Sequence, residues 1–287
     1  MDRSPASRPL SLSAYLPRLG LTALFVCLAS GLVLAFQYRP FGNVFQNVEE
    51  ITTRIPFGWF FRRLHHASGQ VFVILMLGHA TDHFVRKRYR LYPGKEWSRL
   101  TAAVCLCFFI LFTGFILKGD QEGIFAGRIF GNLLGRVPLI GGPAQRLFST
   151  EGAGFFFLPY LYHAFFAPLL VMFLLRSHIR EWMPNQKALC VALPGLFGYA
   201  LLVPSPMDIP PGAQAAVVKG PWFFLGIQSL LKTLDPVLAG AVLPALFVGG
   251  VLLLPASGRA GRPLHYAIVL VSCLYALLTL RSALWGP

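Results

Sequence analysis

A chain of 287 residues that is 55% hydrophobic and 13% charged, with a mean hydropathy of +0.62, is too apolar for a water-soluble domain. The formal charge of +14 would suggest a nucleic-acid partner in a soluble protein. Here it bears instead on how loops divide across a lipid bilayer, and no nucleic-acid partner is expected. The class expected is all-α, a polytopic membrane helix bundle.

Apolar runs long enough to cross the hydrocarbon core lie at about 17–36, 64–85, 100–117, 155–176, 188–204, 236–255 and 264–284, about seven transmembrane helices. The first follows a basic N-terminus but lacks a small-x-small cleavage site before a polar start, so it reads as a retained helix rather than a secretory signal. The fifth is interrupted by Pro194 and Gly195.

Two connections exceed the short loops of a packed bundle. In the first, about 118–154, Ile124, Phe125, Ile129, Phe130, Leu133 and Leu134 recur at helical spacing with Arg128 and Arg136 among them. This predicts an amphipathic helix on the membrane surface, then a turn at Pro138-Leu139-Ile140-Gly141. The second, about 205–235, is proline-rich and then reads Lys219-Gly220-Pro221-Trp222-Phe223-Phe224-Leu225. Aromatics at a membrane boundary are often only a belt; two apolar loops on one side can instead roof a pocket for a lipid-soluble ligand.

With the N-terminus in the cytoplasm, that side carries a net +10 against +4 on the other. The positive-inside rule therefore predicts a multi-pass protein of the inner (cytoplasmic) membrane, N-terminus cytoplasmic and, with seven spans, C-terminus outside. Cys27, Cys105, Cys107, Cys190 and Cys273 lie in apolar segments and read as buried, inert thiols. There is no C-x-x-C-H, zinc spacing or phosphate-cradling glycine loop.

Four histidines carry the strongest signal. His65 and His79 lie fourteen residues apart in the second span, and His163 of the fourth span lies fifteen residues before His178, just past that span's end. At 100° per residue a step of fourteen falls about 40° short of four turns and rises roughly 21 Å; a step of fifteen overshoots by about 60° and rises roughly 22 Å. A single span separates the two, so they cross in the same direction. This pairs His65 with His163 near the outer side and His79 with His178 near the cytoplasmic side. Histidine is a ready axial ligand of haem iron, and the first four helices are expected to form a bundle holding two non-covalent b-type haems. Such a wire would move electrons against about 2.3 kcal/mol per charge per 100 mV. A lone histidine on an apolar face is more often a hydrogen-bonded core residue, but two matched pairs are not so easily explained. The alternative from another class is a haem-free transporter or assembly subunit with proton-relay histidines.

At these residues the chain resembles the cytochrome b subunit of quinol:cytochrome c and quinol:plastocyanin reductases. The resemblance is carried by Tyr38-Arg39-Pro40, by Phe57-Gly58-Trp59 with Arg62 three before His65, by Asn132-Leu133-Leu134 and by Pro138-Leu139-Ile140-Gly141. The fifteen-residue step is similar to the plant-type form, in which a four-helix haem subunit and a three-helix partner are separate chains; 1–186 resembles the first and 187–287 the second, here fused. The resemblance implies haem ligation by His65, His79, His163 and His178, and an outer-haem propionate held by Arg62. It also implies a quinone site on the outer side drawing on Pro138, Ile140, Gly220, Pro221, Trp222 and Phe223. The implied partners are quinol or quinone, an iron–sulfur (Rieske-like), c-type or multihaem cytochrome subunit, and a second copy in a homodimer within a larger complex. A second quinone site would lie near Asp82, His83 and His265, although interfacial solvation is the expectation for both histidines.

The departures are specific. Pro221 stands where the family carries a proton-accepting glutamate, which leaves Asp120 and Glu122 as candidate catalytic acceptors. Asp82 stands where an arginine is usual, so Arg86 or Lys87 would approach the inner propionate. Pro17 stands where Gly31 would have a glycine partner fourteen residues earlier, and Ala23 where the plant-type form has a haem-binding cysteine.

Overall fold

The structure is a computed structural model and describes residues 12–139, 141–148, 151–152, 154–207, 209–213 and 218–286. In chain order the helices are α1 (Leu12–Ala35), α2 (Val44–Thr53), α3 (Gly58–Val85), α4 (Gly94–Ile116), α5 (Gln121–Gly135), α6 (Gly141–Arg146), α7 (Gly154–Leu161), α8 (Ala167–Glu181), α9 (Gln186–Leu202), α10 (Leu225–Leu230), α11 (Leu243–Leu253) and α12 (Gly261–Trp285). A π-turn, Tyr162–Phe166, joins α7 to α8, and a second, Leu238–Val242, leads into α11.

All seven expected spans are helical, and among the described residues five segments are long and apolar enough to cross a membrane: Tyr15–Ala35, Gly94–Ile116, Gly154–Glu181, Leu238–Ala256 and Gly258–Trp285. The chain is therefore a multi-pass helical membrane protein. At 28 residues α3 spans about 42 Å, but Arg62, Arg63, His65, His66, His79, Asp82 and His83 dilute its hydropathy. At 17 residues, α9 is at the short limit for a span. Leu270, Leu274, Leu277 and Leu284 form an exposed apolar stripe along α12, as lipid-facing positions do where hydrocarbon is the solvent. Cys107 is buried, but Cys105, Cys190 and Cys273 are exposed, which corrects the expectation of five buried thiols: an apolar segment in lipid does not bury all its faces.

The described residues divide into two compact units. The first takes in α1, α3, the end of α8 from Leu175, and α9. The buried positions of α1 and α3 include the small residues Ala23, Ser30, Ala67 and Ser68 beside Leu21, Leu24, Leu64 and Phe72. Lipid tails are as apolar as leucine, so close van der Waals packing, rather than hydrophobic burial, holds such helices together. The turn into α3 puts Phe57 at φ +58° and brings the Ile51 carbonyl oxygen to 1.9 Å from where a Cβ on residue 58 would sit. Only glycine fits there, which is the local reason for Gly58 before Trp59.

The second unit comprises 38–50, 89–174 and 206–287. Its core is aromatic: Phe112, Ile116, Phe148, Phe155 and Phe223 are buried, with Phe108, Phe109, Phe130, Tyr162 and Phe224 packed against them. α5 is more than a surface helix, since Gly123, Gly127 and Gly131 form its buried face. The Cβ position of Gly127 lies 2.8 Å from the Phe155 ring. Tyr38 closes the end of α4 by donating to the Leu117 carbonyl at 3.0 Å. Burial, with Tyr160 alongside, pushes its phenol well above the usual range, so the donor persists at any physiological pH.

Candidate haem and quinone sites

His65 and His163 sit in matched surroundings, each within its own unit. His65 Nδ1 lies 2.9 Å from the Cys27 carbonyl oxygen on α1, and His163 Nδ1 lies 2.9 Å from the Ile110 carbonyl oxygen on α4. A carbonyl only accepts, so each Nδ1 carries the proton and donates it, which leaves the lone pair on Nε2. That is the tautomer in which an imidazole binds a metal, with its other nitrogen held by a backbone oxygen. Four residues after each carbonyl stands a glycine. A Cβ on Gly31 would lie 2.8 Å from His65 Cε1, and one on Gly114 2.6 Å from His163 Cε1. Any other residue would push the ring off its carbonyl.

His163 also lies inside the π-turn Tyr162–Phe166. A π-turn uses i→i+5 bonding and absorbs an extra residue in an α-helix. The fifteen-residue step is thus fourteen plus one inserted residue, and the 60° overshoot expected for a regular helix does not apply.

His79 fits a ligand for a different reason. Both of its ring nitrogens are buried and, among the described residues, lack a hydrogen-bond partner, a costly state for an imidazole unless something else binds it. Its ring centroid is 5.6 Å from that of His178, tilted by 54°. Two imidazoles flanking one metal at bonds of about 2 Å would stand roughly 6 Å apart. The His83 ring lies 4.3 Å from that of His79, tilted by 50°, and His265 meets the buried Tyr89 hydroxyl at 3.4 Å. At 8% and 4% exposure neither His83 nor His265 is solvated, contrary to expectation. Arg62 donates to Thr52 Oγ1 at 3.4 Å, and Arg86 pairs with Asp82 at 2.6 Å.

The two long connections meet. Phe112 of α4 packs at 4.8 Å centroid distance against Phe130 of α5 and at 5.4 Å against Phe224. Gly220, Pro221, Trp222 and Phe223 are tied to α10 and α12: Gln228 accepts from Gly220 N at 2.8 Å and donates to the Val218 carbonyl, and Tyr275 donates to the Phe223 carbonyl at 2.9 Å. Pro138 lies in the turn after α5; Ile140 lies outside the described residues. A cavity of about 340 Å³ opens beside α5 between Ile124, Arg128, Glu151, Gly152, Phe155 and Phe156, and none of the expected quinone residues lines it.

Asp120 is fully buried. Its Oδ1 caps α5 by accepting from Gly123 N at 3.0 Å, and its Oδ2 pairs with Lys118 at 2.7 Å. Glu122 stands 3.7 Å from the same ammonium with 23% of its side chain exposed. Sequence reasoning missed Ser30, Thr113 and Gly114, although a Ser-Gly and a Thr-Gly dipeptide in two apolar runs were there to be read.

Residues 4–183 match the family described as Cytochrome b/b6/petB. A cytochrome b6 from Mesostigma viride is 30% identical over 162 residues, 55% of this chain and 75% of that protein. A solved chain of a hyperthermophilic respiratory Complex III superposes with a TM-score of 0.71 over 96% of this chain and 85% of its own, at 18% identity, and so shares the fold. With a family match over more than half its length, the chain belongs to the cytochrome b/b6 family: it is a b-type haem-binding membrane subunit of a quinol oxidoreductase complex.

Proposed function

We propose that the chain holds two non-covalent b-type haems, one on His65 and His163 and one on His79 and His178. In this reading it passes electrons across the inner membrane between quinol and a peripheral iron–sulfur or c-type haem subunit, as half of a homodimer with its N-terminus in the cytoplasm. The matched carbonyl and glycine cradle at His65 and His163 carries the reading, because it sets two imidazoles in the metal-binding tautomer. Bound haem supplies a one-electron carrier at each depth.

The chain's own residues do the rest. Arg62, at the start of α3, serves a propionate through a charge-assisted bond. Pro138, Ile140 and Gly220-Pro221-Trp222-Phe223 border the quinone, and the phenylalanine cluster between α4, α5 and Phe224 excludes water from it. Proton acceptance falls to the acidic pair after α4. Asp120 has both oxygens committed, so Glu122 is the member that exchanges a proton with water while Asp120 holds Lys118. Residues 1–186 form the haem domain and 187–287 a three-helix domain.

Haem-to-protein stoichiometry tests the reading. The purified chain is expected to carry two haems in its reduced-minus-oxidised spectrum, and His79→Ala or His178→Ala to carry one. Retention of both haems in both variants would overturn the pairing.

A further inference from the structure

Resting on the assignment of His65 and His163 to one haem, we propose that Ser30 and Thr113 are positioning residues that set the potential of that haem by sharing the carbonyl oxygens that hold its ligands. Ser30 Oγ donates to the Cys27 carbonyl at 3.1 Å and to Val26 at 2.7 Å. Thr113 Oγ1 donates to the Ile110 carbonyl at 2.9 Å and to Phe109 at 3.0 Å, and stands 3.4 Å from His163 Nδ1. Both side chains are buried, at 2% and 0% exposure. The helix ladder directs a third donor, the N–H of Gly31 or Gly114, to the same two oxygens. A carbonyl oxygen has two lone pairs, so three donors must share them.

Serine and threonine in membrane helices commonly bond back to the preceding turn, and Ser68 does so at 2.6 Å to the Leu64 carbonyl. Ser30 and Thr113 differ in that the carbonyl they share also holds a ring nitrogen of a histidine. The arrangement occurs twice, on separate helices, with the same offsets: carbonyl, hydroxyl three residues on, glycine four residues on. Among the described residues neither ring nitrogen of His79 has a hydrogen-bond partner, so His79 lacks this device.

The direction follows from competition for the oxygen. A hydroxyl on the carbonyl weakens the Nδ1–H···O bond, lowers the basicity of Nε2 and disfavours the ferric form. Removing the hydroxyl strengthens that bond and lowers the potential. Redox titration of membranes carrying Ser30→Ala or Thr113→Val is expected to show a three- to tenfold rise in the ferric-to-ferrous ratio of the His65/His163 haem at fixed potential. That is about 30–60 mV at 59 mV per decade for one electron, with the other haem unmoved. Ser30→Thr and Thr113→Ser, which keep the hydroxyl, are expected to titrate like the parent. An unmoved or raised potential, or equal shifts of both haems, would overturn the proposal. Ser30→Ala removes a single oxygen and suffices if Thr113→Val does not assemble. His65→Ala and His163→Ala serve beside them: loss of one and the same haem supports the underlying assignment, and loss of none overturns that assignment rather than the tuning.

Discussion

Replacing Gly114 tests the cradle at its tightest point. A Cβ there would lie 2.6 Å from His163 Cε1 and 3.1 Å from Nδ1, whereas carbon atoms rest at about 3.5–4.0 Å. The ring must retreat by about 1 Å. That stretches the 2.9 Å bond to the Ile110 carbonyl to about 3.9 Å, beyond hydrogen-bonding range. The bond itself is worth about 0.5–1.5 kcal/mol. Loss of such an outer-shell partner typically lowers metal affinity about 10- to 100-fold, or about 1.4–2.7 kcal/mol. The helix does not suffer, because alanine is about 1 kcal/mol better than glycine in a helix interior. Gly114→Ala is therefore expected to fold, with far-UV circular dichroism unchanged, and to lose part of one haem; Gly114→Val is expected to lose all of it. Pyridine haemochrome assay against protein mass measures both. Gly249→Ala, where a Cβ meets nothing within 4 Å, provides the control and should keep two haems. Full haem content and an unchanged spectrum in Gly114→Val would refute the reasoning.

The remaining expectations concern the acidic pair and the sidedness. Asp120→Asn with Glu122→Gln is expected to lower quinol-dependent haem reduction by about 10²-fold, the scale of losing one general base, with both haems retained; an unchanged rate would mean the proton leaves elsewhere. Asp120→Ala should in addition lower the melting temperature, because a lost N-cap costs about 0.5–2 kcal/mol and Lys118 loses its 2.7 Å partner. A reporter fused after residue 95 should be cytoplasmic and one after residue 287 external. Both on one side would mean an even number of spans after residue 95 and would remove α9, the shortest, from the count.

Much of the fold was legible in the residue order because membrane helices answer to local rules. A span needs about twenty apolar residues whatever it packs against, so α1, α4, α7 with α8, α11 and α12 could be placed by hydropathy. Two histidines on one helix are related by its pitch alone, and the fourteen-residue step of α3 was readable for that reason. The Asp-Gln-Glu run at the start of α5 was also visible, yet it suggested proton chemistry at Asp120. Only the fold shows that its two oxygens are already bonded to Gly123 and Lys118.

Local rules stop where a contact depends on two helices at once. No count of residues tells that Gly31 and Gly114 face imidazole rings, because that requires α1 to lie against α3 and α4 against the π-turn. The π-turn itself was hidden: a fifteen-residue step is compatible with a regular helix that overshoots or with one that takes up an extra residue. The choice is made by the hydrogen bond to the Ile110 carbonyl, a partner fifty-three residues away. Histidine spacing, a one-dimensional property, was therefore determined by the sequence alone. The tautomer and orientation of the His65 and His163 imidazoles were decided only by tertiary structure, because the oxygen that fixes each belongs to a neighbouring helix.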